Sequence, residues 1–264
     1  MKLQFSKYQG TGNDFILIDN RKSEWSSLTR AQIAKLCDRR FGIGADGLIL
    51  LNHHRDADFE MKNYNSDGGE CSMCGNGARS LVQFAHHLGI RDRGIAVKKP
   101  YQFAAIDGAH EAYFQDDKIH LKMQDVKEVR ETPVGFFLNT GSPHLVTHRL
   151  NLMTYNVVEE GRKLRTSPMF MPGGVNVNFV ESYGDKIFVR TYERGVEDET
   201  LSCGTGNIAS ALTAFPHPMG KHRVEVETRG GKLFVEFKKV SDEHYEEIWL
   251  IGPALKTFDG FVEI

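Results

Sequence analysis

Two short segments of the chain place a cysteine directly before a turn with two glycines. Cys74 precedes Gly-Asn-Gly at 75–77, and about 130 residues later Cys203 precedes Gly-Thr-Gly at 204–206. Each segment leads into a run with helical spacing, so each cysteine is predicted at a helix N-terminus. The unpaired backbone N–H groups and the helix dipole there lower a thiol pKa from roughly 8.5 to about 3.5–7.5, and the same groups bind carboxylates.

The matched pair of thiols suggests proton exchange at a carbon atom that bears a carboxylate. If both helix N-termini point at one small acid, one thiolate can remove the α-proton while the opposite thiol delivers another, which inverts the stereocentre. Each positioned proton-transfer group contributes on the order of 10²–10⁴ in rate, and loss of one good donor to the developing charge costs roughly 3–4 kcal/mol. A single cysteine before glycine is more often a small buried residue, but two with matching glycine spacing favour catalysis.

The other two cysteines, Cys37 and Cys71, are predicted to be packing residues. Cys71 forms a Cys-x-x-Cys motif with Cys74, which is also typical of a redox pair or of half a zinc site. A zinc site needs two more ligands, and the sequence has no second such motif and no spaced histidine pair, so no metal is expected. A thiol-redox protein that uses Cys71 and Cys74 is one alternative function.

Strand patterns dominate the chain, and three helix patterns interrupt them. Alternation bounded by Gly, Asp or Asn predicts strands within 3–10, 13–20, 46–52, 58–65, 103–108, 110–115, 118–123, 175–182, 186–193, 222–239 and 246–252, with a hairpin turn at 229–232. One helix is predicted within 27–42, from a Ser or Thr cap to a Gly stop. Two more follow the cysteine motifs, at 78–89 and 207–215, and the second is apolar on nearly every side, which predicts an interior position.

The order of these elements repeats coarsely along the chain. Each half contains strands, a Cys-Gly-x-Gly turn, a buried helix and more strands, which predicts an α+β protein with a sheet wrapped around a central helix in each half. The length of 264 residues suits two domains or one large one. The domains are predicted at 1–115 and 116–252, and the last segment, 253–264, is a candidate for returning to the first domain.

Several polar residues near strand ends are candidates for binding an amino acid. Arg194 is suited to hold a carboxylate with two hydrogen bonds, and Glu193 to take an ammonium group or to orient a proton. Asn in glycine-rich or strand-end contexts is usually a turn residue, but it also offers an amide to a ligand. The three such asparagines are Asn13, Asn65 and Asn176. His144 lies in a turn-like Thr-Gly-Ser-Pro-His segment, where a lone histidine is more often structural.

These motifs resemble those of the diaminopimelate epimerase family. The resemblance rests on GTGNDF, NSDGGECSMCGNGAR, TGSPH, GVNVNF and YERGVEDETLSCGTG, which follow the family's order from the first strand to the last. It implies an enzyme with no pyridoxal or other cofactor that interconverts LL- and meso-diaminopimelate on the bacterial route to lysine and peptidoglycan. It also implies two pseudo-symmetric domains, each a curled, mostly antiparallel and barrel-like sheet around a central helix, with the active site in the cleft between them, and a cytoplasmic homodimer.

The resemblance also assigns roles to individual residues. Cys74 and Cys203 match the family's catalytic cysteines, and His144 matches a histidine near the reacting centre. His144 and Glu193 are expected to support proton transfer. The substrate-carboxylate positions are matched by Gly75, Asn76, Gly204 and Thr205. The side chains that select the substrate are matched by Asn13, Asn65, Asn176, Glu193 and Arg194.

Three positions depart from the family's pattern. Ser142 stands where many members have a substrate-contacting Asn, so that contact is expected to be lost or shortened to a hydroxyl. Gly47 stands where some members carry a substrate-contacting Gln, so no side chain is expected to reach the substrate from there. The segment between Glu193 and Cys203 is one residue longer than in many members, which predicts a bulged loop with both ends in place.

The composition argues against several other classes of protein. A net charge of −2 with scattered basic residues indicates neither a nucleic-acid partner nor an acidic membrane surface. The N-terminus lacks the features of a signal peptide, and no apolar run reaches the roughly 18 residues of a membrane span, so a cytoplasmic protein is predicted. Proline racemase, hydroxyproline epimerase, phenazine-biosynthesis isomerase and a small-molecule binding protein without turnover are the alternatives. The charged and amide-rich set of candidate residues favours diaminopimelate, because a proline ring needs an apolar wall.

Overall fold

The computed structural model describes residues 2–90 and 100–264. Its contacts divide the chain into two units, Met1–Leu121 with Gly252–Ile264, and Lys122–Ile251. The elements in chain order are β1 (Lys2–Gly10), β2 (Asn13–Asp19), α1 (Arg30–Cys37), β3 (Gly47–Asn52), β4 (Phe59–Asn65), β5 (Glu70–Cys71), α2 (Gly75–His87), β6 (Tyr101–Ala105), β7 (Gly108–Gln115), β8 (Lys118–Lys122), β9 (Val129–Thr132), β10 (Gly135–Asn139), β11 (Pro143–His148), α3 (Val157–Arg165), β12 (Asn176–Tyr183), β13 (Lys186–Glu193), β14 (Asp198–Thr200), α4 (Gly204–Thr213), β15 (Gly220–Thr228), β16 (Gly231–Lys239), β17 (Tyr245–Gly252) and β18 (Leu255–Glu263). Short 3₁₀ turns occur at Leu152–Thr154 and Pro168–Phe170.

The first unit is a sheet in the order β18, β1, β2, β3, β4, β6, β7 and β8. The β2–β3 and β4–β6 pairs are parallel, and the other neighbours in this order are antiparallel. The short β5 adds to β4. Helix α2 packs against β1, β2, β3, β4 and β18, so the strands curl around it.

The second unit repeats this arrangement step by step. Its strand order is β9, β10, β11, β12, β13, β15, β16 and β17, and the parallel pairs are β11–β12 and β13–β15. The short β14 adds to β13, and α4 packs against β10–β13, β15 and β16. The predicted α+β fold, with a curled and mostly antiparallel sheet around a central helix in each half, is confirmed.

The central strands of the first unit are covered on both faces. Ile16 of β2 packs with Ile33 of α1 in one apolar cluster. Phe15 and Ile49, which point to the opposite face, lie beside Gly77 of α2. Burial on both faces explains why β2 and β3 are nearly continuous apolar runs rather than strict alternations.

The helices that follow the two cysteine motifs form as predicted. Helix α2 buries Leu81, Val82 and Ala85 along one side, and nearly all of α4 is buried. Pro216 lies just beyond the end of α4, where a proline cannot continue a helix. No helix in residues 2–90 and 100–264 has the length and apolarity that a bilayer span requires.

The structure corrects several predicted elements. Helix α1 begins after Thr29, which forms a capping box with Gln32, but it ends at Cys37 and not at the predicted Gly42, because Asp38 is extended. Several elements were not predicted from the sequence, namely β5, β9, β10, β11, β14, β18, α3 and the two 3₁₀ turns. The predicted hairpin at 229–232 is confirmed, since Thr228 of β15 pairs with Gly231 of β16.

Candidate active site

The candidate residues of each unit gather at one end of its sheet. In the first unit β2 and β3 are parallel and β4 is antiparallel to β3, so the starts of β2 and β3 and the end of β4 meet at one edge. The second unit brings together the starts of β11 and β12 and the end of β13 in the same way. The cysteine-led helix of each unit begins at that edge, since Cys74 lies beside Asn13 and Thr205 lies beside His144.

Cys74 is the N-cap residue of α2. Its backbone is extended, with φ −100° and ψ 126°, and its side chain makes no capping hydrogen bond. Its sulfur lies 3.8 Å from Oδ1 of Asn13 at the start of β2. Gly75 and Asn76 form the first helical turn, whose backbone N–H groups have no intrahelical acceptor. This position favours the thiolate form of a cysteine and the binding of a carboxylate.

A network of charged groups orients the amide of Asn13. Nδ2 of Asn13 donates to Oδ2 of Asp46, which leaves Oδ1 facing Cys74. Arg39 donates to Oδ1 of Asp46 at 2.7 Å and makes two bonds to Asp14, at 2.6 and 3.0 Å. The carboxylate of Asp46 therefore determines which end of the amide faces the thiol.

Arg79, in the second turn of α2, folds back onto the first turn. Its Nη2 donates to Oδ1 of Asn76 at 2.9 Å and to the Thr11 hydroxyl at 3.3 Å. Its Nη1 donates to the carbonyl of Gly75 at 3.3 Å, and its Nε to the carbonyl of Pro253 at 3.5 Å. These bonds fix the Asn76 side chain, which is itself buried.

Asn65 and Gly47 are paired neighbours at the same edge of the first sheet. Asn65 is exposed at the end of β4, and its backbone closes a turn with Gly68 and Gly69 through two bonds of 2.9 Å. A Cβ atom at position 47 would lie 2.6 Å from the carbonyl oxygen of Tyr64. The backbone therefore has no room for a side chain at this position.

Cys203 occupies the equivalent N-cap position of α4. Its backbone is again extended, with φ −111° and ψ 114°, and its side chain makes no capping hydrogen bond. The sulfur lies 3.5 Å from Oγ1 of Thr205, which with Gly204 forms the first helical turn. The Thr205 hydroxyl also lies 2.9 Å from Nε2 of His144, a fully buried side chain on β11.

The amide of Asn178 fixes the tautomer of His144. Nδ2 of Asn178 donates to the carbonyl of Leu145 at 3.1 Å, which sets the orientation of the amide, and it also donates to Nδ1 of His144 at 3.0 Å. Burial, and after it the positive charge of Arg194, lower the pKa of His144 to about 3, so the ring is neutral. Because Nδ1 accepts a hydrogen bond, the single ring proton is on Nε2.

The Nε2 proton of His144 is directed at two hydroxyl oxygens. The hydroxyls of Ser142 and Thr205 each lie 2.9 Å from Nε2, and 3.3 Å from each other. With Nε2 as the donor, the hydroxyl of Thr205 can direct its own hydrogen at the sulfur of Cys203. The second unit thus supplies a neutral donor to its cysteine.

Asn176 connects three segments around the end of β13. Its Nδ2 donates to the Ser142 hydroxyl at 3.1 Å and to the carbonyl of Pro143 at 3.3 Å, and its Oδ1 accepts from the backbone N–H of Arg194 at 2.9 Å. The exposed Arg194 side chain donates to the carbonyl of Gly173 at 3.3 Å. The buried amide therefore positions the backbone that carries Arg194.

The segment between Glu193 and Cys203 begins with a hairpin turn. Glu193 ends β13 and pairs with Asp198 of β14, so the intervening residues 194–197 form the turn. The N–H of Glu197 donates to the carbonyl of Glu193 at 2.8 Å, and Glu197 has a positive φ of 59°. The pairing of β13 with β14 has no register shift, so the residues with unusual backbone angles are confined to the turn.

The comparison with known proteins gives the family. The model of the family described as Diaminopimelate epimerase matches residues 5–127 and 136–256. The chain belongs to the diaminopimelate epimerase family. The diaminopimelate epimerase of Flavobacterium psychrophilum is 47% identical over 260 residues, which cover 97% of this chain and 99% of the relative. That of Chlorobaculum tepidum is 42% identical over 97% of this chain and 99% of the relative.

Solved structures share the fold at low sequence identity. A phenazine biosynthesis protein of the PhzF family from Bacillus anthracis has a TM-score of 0.73 with 15% identity, and both chains are covered completely. A hydroxyproline epimerase from Agrobacterium vitis has a TM-score of 0.69 with 15% identity over 99% of this chain and 91% of the other. Membership of the diaminopimelate epimerase family makes this protein an isomerase, as the motifs predicted.

Several residues at the candidate site were not predicted from the sequence. Asn178 follows Asn176 by two positions on β12, so strand alternation put both on one face and could have identified it. Arg79 ends one of the quoted motifs and Asp46 precedes Gly47, but a lone charged residue is most often a surface residue. Only the folded chain reveals their partners.

Cys71 is a poor candidate for chemistry. It lies on β5, where its thiol contacts the carbonyl of Asn63 at 3.7 Å. Burial, and after it the negative charge of a Cys74 thiolate, raise the pKa of Cys71 to about 12. In residues 2–90 and 100–264 no group of three or more His, Cys, Asp or Glu side chains could hold a metal ion.

Replacing Cys71 with serine should leave epimerase activity within about two-fold of the parent protein, because a neutral thiol with a raised pKa is a weak base and a weak nucleophile. Steady-state rates of the two proteins, measured side by side in the presence of a reductant, test this expectation. Abolished activity would instead support the thiol-redox alternative that pairs Cys71 with Cys74.

The buried His144 should make the fold less stable in acid. Its pKa is lowered from 6.5 to about 3 on folding, so between these values the unfolded chain binds the extra proton. The stability that this neutral ring contributes is therefore present above pH 6.5 and is lost as the pH falls toward 3. Urea unfolding at about pH 7.5 and 5.5 should show a smaller acid loss for His144→Gln than for the parent protein. His148→Gln, at an exposed position of the same strand, is the matched control. An acid loss in His144→Gln as large as that of the parent protein would contradict the expectation.

Proposed function

We propose that this protein interconverts LL- and meso-diaminopimelate at the α-carbon, with Cys74 and Cys203 as the two proton-transfer groups and with no cofactor. The observation that carries the proposal is the repeated geometry. Each cysteine is the N-cap residue of the buried central helix of its own unit, at the same place in the strand order. The name shared by relatives that are 34–47% identical to this chain supports the substrate.

In the proposed reaction one cysteine begins as a thiolate and the other as a thiol. The thiolate takes the α-proton, so an S–H bond forms as the C–H bond breaks, and the electron pair is delocalised into the adjacent carboxylate. The thiol then gives its proton to the opposite face of the carbon and becomes the thiolate. No electron leaves the substrate, so the step balances without an oxidant or a reductant. The groups assigned to the carboxylate are the helix-terminal N–H groups of Gly75, Asn76, Gly204 and Thr205.

The second amino-acid head of diaminopimelate accounts for the remaining polar residues in this proposal. Arg194 is assigned to a carboxylate, Glu193 to an ammonium group, and further contacts are assigned to the amides of Asn13, Asn65 and Asn176. The bond from Asn176 to the backbone of Arg194 supports this assignment, because it holds the arginine at the edge where α4 begins. A neutral His144 supports proton transfer by orienting the Thr205 hydroxyl rather than by giving up a proton itself.

We further propose that the working enzyme is a cytoplasmic homodimer on the route to lysine and peptidoglycan, with a small amino acid as its ligand and neither a nucleic acid nor a membrane as a partner. The exposed edge strand β18 is the feature that supports a homodimer. Among the strands of residues 2–90 and 100–264 it pairs in the first unit with β1 alone, and its Leu255, Phe258 and Phe261 are between 46% and 60% exposed. Exposed apolar residues on an edge strand are suited to contact another chain.

The proposal is tested by incubating the purified protein with LL-diaminopimelate in D₂O with no cofactor added. We expect deuterium at the α-carbon and formation of the meso isomer, followed by NMR and by chiral chromatography. Parallel reactions with L-proline and trans-4-hydroxy-L-proline should show neither change. Exchange with a proline but not with diaminopimelate would support the racemase alternative, and binding of diaminopimelate without exchange would support a protein without turnover.

A further inference from the structure

His144 and Asn178 form a buried polar pair beneath the first turn of α4. Both side chains are 0% exposed. A Cβ atom at Gly206, in that turn, would overlap Oδ1 of Asn178, so the helix packs directly on the amide. Burying polar side chains costs free energy that hydrogen bonds must offset, so a pair of them under a helix indicates a specific requirement.

The first unit fills the same place with apolar side chains. In the parallel pair of β2 and β3, Phe15 stands where His144 stands in the pair of β11 and β12. By the same register, Ile49 stands where Asn178 stands. A Cβ atom at Gly77 of α2 would lie 2.9 Å from Ile49 and 3.4 Å from the ring of Phe15. The fold therefore accepts an apolar pair here, and the polar pair of the second unit indicates a role other than packing.

The hydrogen bonds of Asn178 each have one possible direction. The carbonyl of Leu145 can only accept, so the amide atom 3.1 Å from it is Nδ2. Thr191, the paired neighbour on β13, donates its hydroxyl hydrogen to Oδ1 at 2.9 Å. The other hydrogen of Nδ2 is directed at Nδ1 of His144, 3.0 Å away. Two neighbours thus hold the amide in the orientation that makes it a donor to the histidine.

The same direction continues to the sulfur of Cys203. Because Nδ1 of the neutral His144 ring accepts, the ring hydrogen is on Nε2, which donates to the Thr205 hydroxyl at 2.9 Å. The hydroxyl of Thr140 donates to the carbonyl of Thr205 at 2.8 Å and holds that residue in place. A thiolate only accepts hydrogen bonds, so the Thr205 hydroxyl, 3.5 Å from the sulfur, donates to Cys203 whenever that cysteine is ionised. A hydrogen bond to the charged form of a group favours that form.

We propose that Asn178, held by Thr191, is a positioning residue that sets the direction of a series of hydrogen bonds ending at the sulfur of Cys203. The donors in this series, in order, are Thr191, Asn178, His144 and Thr205. The series stabilises the Cys203 thiolate, which forms each time that cysteine gives its proton to the substrate. The inference rests on the two-cysteine function proposed above. Asn178 acts through His144 and Thr205, and no proton moves along the series.

The position of the His144 ring proton tests the direction in the parent protein. The protein is labelled with ¹⁵N-histidine, long-range ¹H–¹⁵N NMR spectra are recorded near neutral pH, and the His144 signals are assigned by their loss in His144→Gln. We expect a neutral ring with its hydrogen on Nε2. In Asn178→Asp the carboxylate can only accept, so the hydrogen of the neutral ring should move to Nδ1. A parent ring with its hydrogen on Nδ1 overturns the proposal, and this measurement needs no variant.

The reactivity of the Cys203 thiol tests the end of the series. Thr205→Val removes the hydroxyl but keeps the backbone N–H and adds no charge. When the substrate-free protein is alkylated with iodoacetamide over a range of pH, the reaction midpoint of Cys203 should rise by about one unit or more in this variant, while that of Cys74 stays in place. Thr205→Ser keeps a hydroxyl and should restore most of the parent midpoint. An unchanged Cys203 midpoint in a folded Thr205→Val protein overturns the proposal.

Thr213→Val is the matched control for the loss of a hydroxyl. Thr213 lies on the same helix, and its hydroxyl donates to the carbonyl of Ala209 at 2.9 Å. This variant should leave the midpoints of both cysteines unchanged. Circular dichroism establishes that each variant is folded, and if Asn178→Asp is not, the parent ring and the Thr205 variants still decide the question.

Turnover of diaminopimelate shows whether Asn178 acts through Thr205. Thr205→Val and Asn178→Asp should each lower kcat by about ten-fold to a hundred-fold with little change in KM. The double variant should be slower than the slower single variant by no more than about two-fold, because both substitutions remove the same hydrogen bond to sulfur. If Asn178→Asp slows turnover as much in Thr205→Val as in the parent protein, its added charge acts independently of the hydroxyl and the proposal is overturned. A raised KM with unchanged kcat in Thr205→Val would assign the hydroxyl to substrate binding and would also overturn it.

The deuterium experiment separates these results from the proposed function. A ring hydrogen on Nε2 and a Cys203 midpoint that depends on Thr205, without exchange of diaminopimelate, would contradict the function and support the series of hydrogen bonds. Exchange of diaminopimelate by a protein whose His144 carries its hydrogen on Nδ1 would do the reverse.

Discussion

Replacing Cys203 with serine should slow formation of meso-diaminopimelate from the LL isomer by about 10²–10⁴-fold, and Cys74→Ser should do the same. A serine hydroxyl is a far weaker acid than a thiol, so it can neither stay ionised as the base nor give up a proton readily. Each helix N-terminus keeps its N–H groups in these variants, so substrate binding should change much less than turnover. Rates of meso formation and of α-deuteration, together with the affinity from calorimetry, separate the two effects.

Cys71→Ser is the matched control for these variants, because it makes the same atomic change three residues from Cys74. It should behave as the parent protein does. Retention of more than about one tenth of the parent rate in either Cys74→Ser or Cys203→Ser would remove that cysteine from the proposed mechanism, since a proton-transfer group contributes more than this.

Replacing Arg190 with methionine should lower the free energy of unfolding by about 3–5 kcal/mol. Arg190 makes two bonds of 2.6 Å to Glu199, and the two side chains are only 5% and 10% exposed. It also donates to the carbonyls of Leu152 and Tyr155, at 2.7 and 2.8 Å. Methionine fills the space but leaves these acceptors without their donor, and Arg229 remains as a partner of Glu199 at 3.1 Å.

Urea unfolding followed by circular dichroism measures this loss, with Arg223→Met as the control. Arg223 also pairs with a glutamate across neighbouring strands, Glu236 at 2.8 Å, but the pair is 51% and 32% exposed. An exposed pair contributes about 0–1 kcal/mol, so the control should be nearly as stable as the parent protein. Equal losses in the two variants would show that burial of the Arg190 pair has no special effect.

The strands that the sequence predicted carry either an alternating pattern or, as in β2 and β3, a nearly continuous apolar run. Strand β16 alternates regularly between buried and partly exposed positions, and its pattern was recognised. Strand β18 was missed because most of its residues are exposed, and because its Asp259-Gly260 pair is a common turn signal. Its pairing with β1, eight residues of register, is set by a contact across the whole length of the chain, which no local pattern reveals.

Helix α3 was missed for a different reason. It is short, it is rich in charged residues, and it has Gly161 in its interior, where glycine lowers helix propensity. The structure requires that glycine, because a Cβ atom there would lie 2.3 Å from Cβ of Tyr192. The close approach of α3 to β13 is a tertiary requirement that overrides the local preference.

The candidate site was predictable where residue type and spacing carry the chemistry. Cys74 and Cys203 were recognised because both precede the same glycine turn, and both are helix N-caps in the structure. Arg79 was not recognised, because its burial and its bonds to Asn76 and Thr11 exist only in the folded chain. Asn178 was not recognised either, because the tautomer that it fixes in His144 depends on the orientation of one amide.

The pairing of β18 with β1 places the two ends of the chain side by side. Lys2 pairs with Glu263, so a short linker would join them, and new termini could be opened between Pro253 and Ala254, after β17. In such a circular permutant the strands would run β18, β1 to β8 and then β9 to β17, and each unit would be one uninterrupted segment. The two units therefore share one order of nine strands and two helices, which in the first unit begins with β18 and in the second with β9.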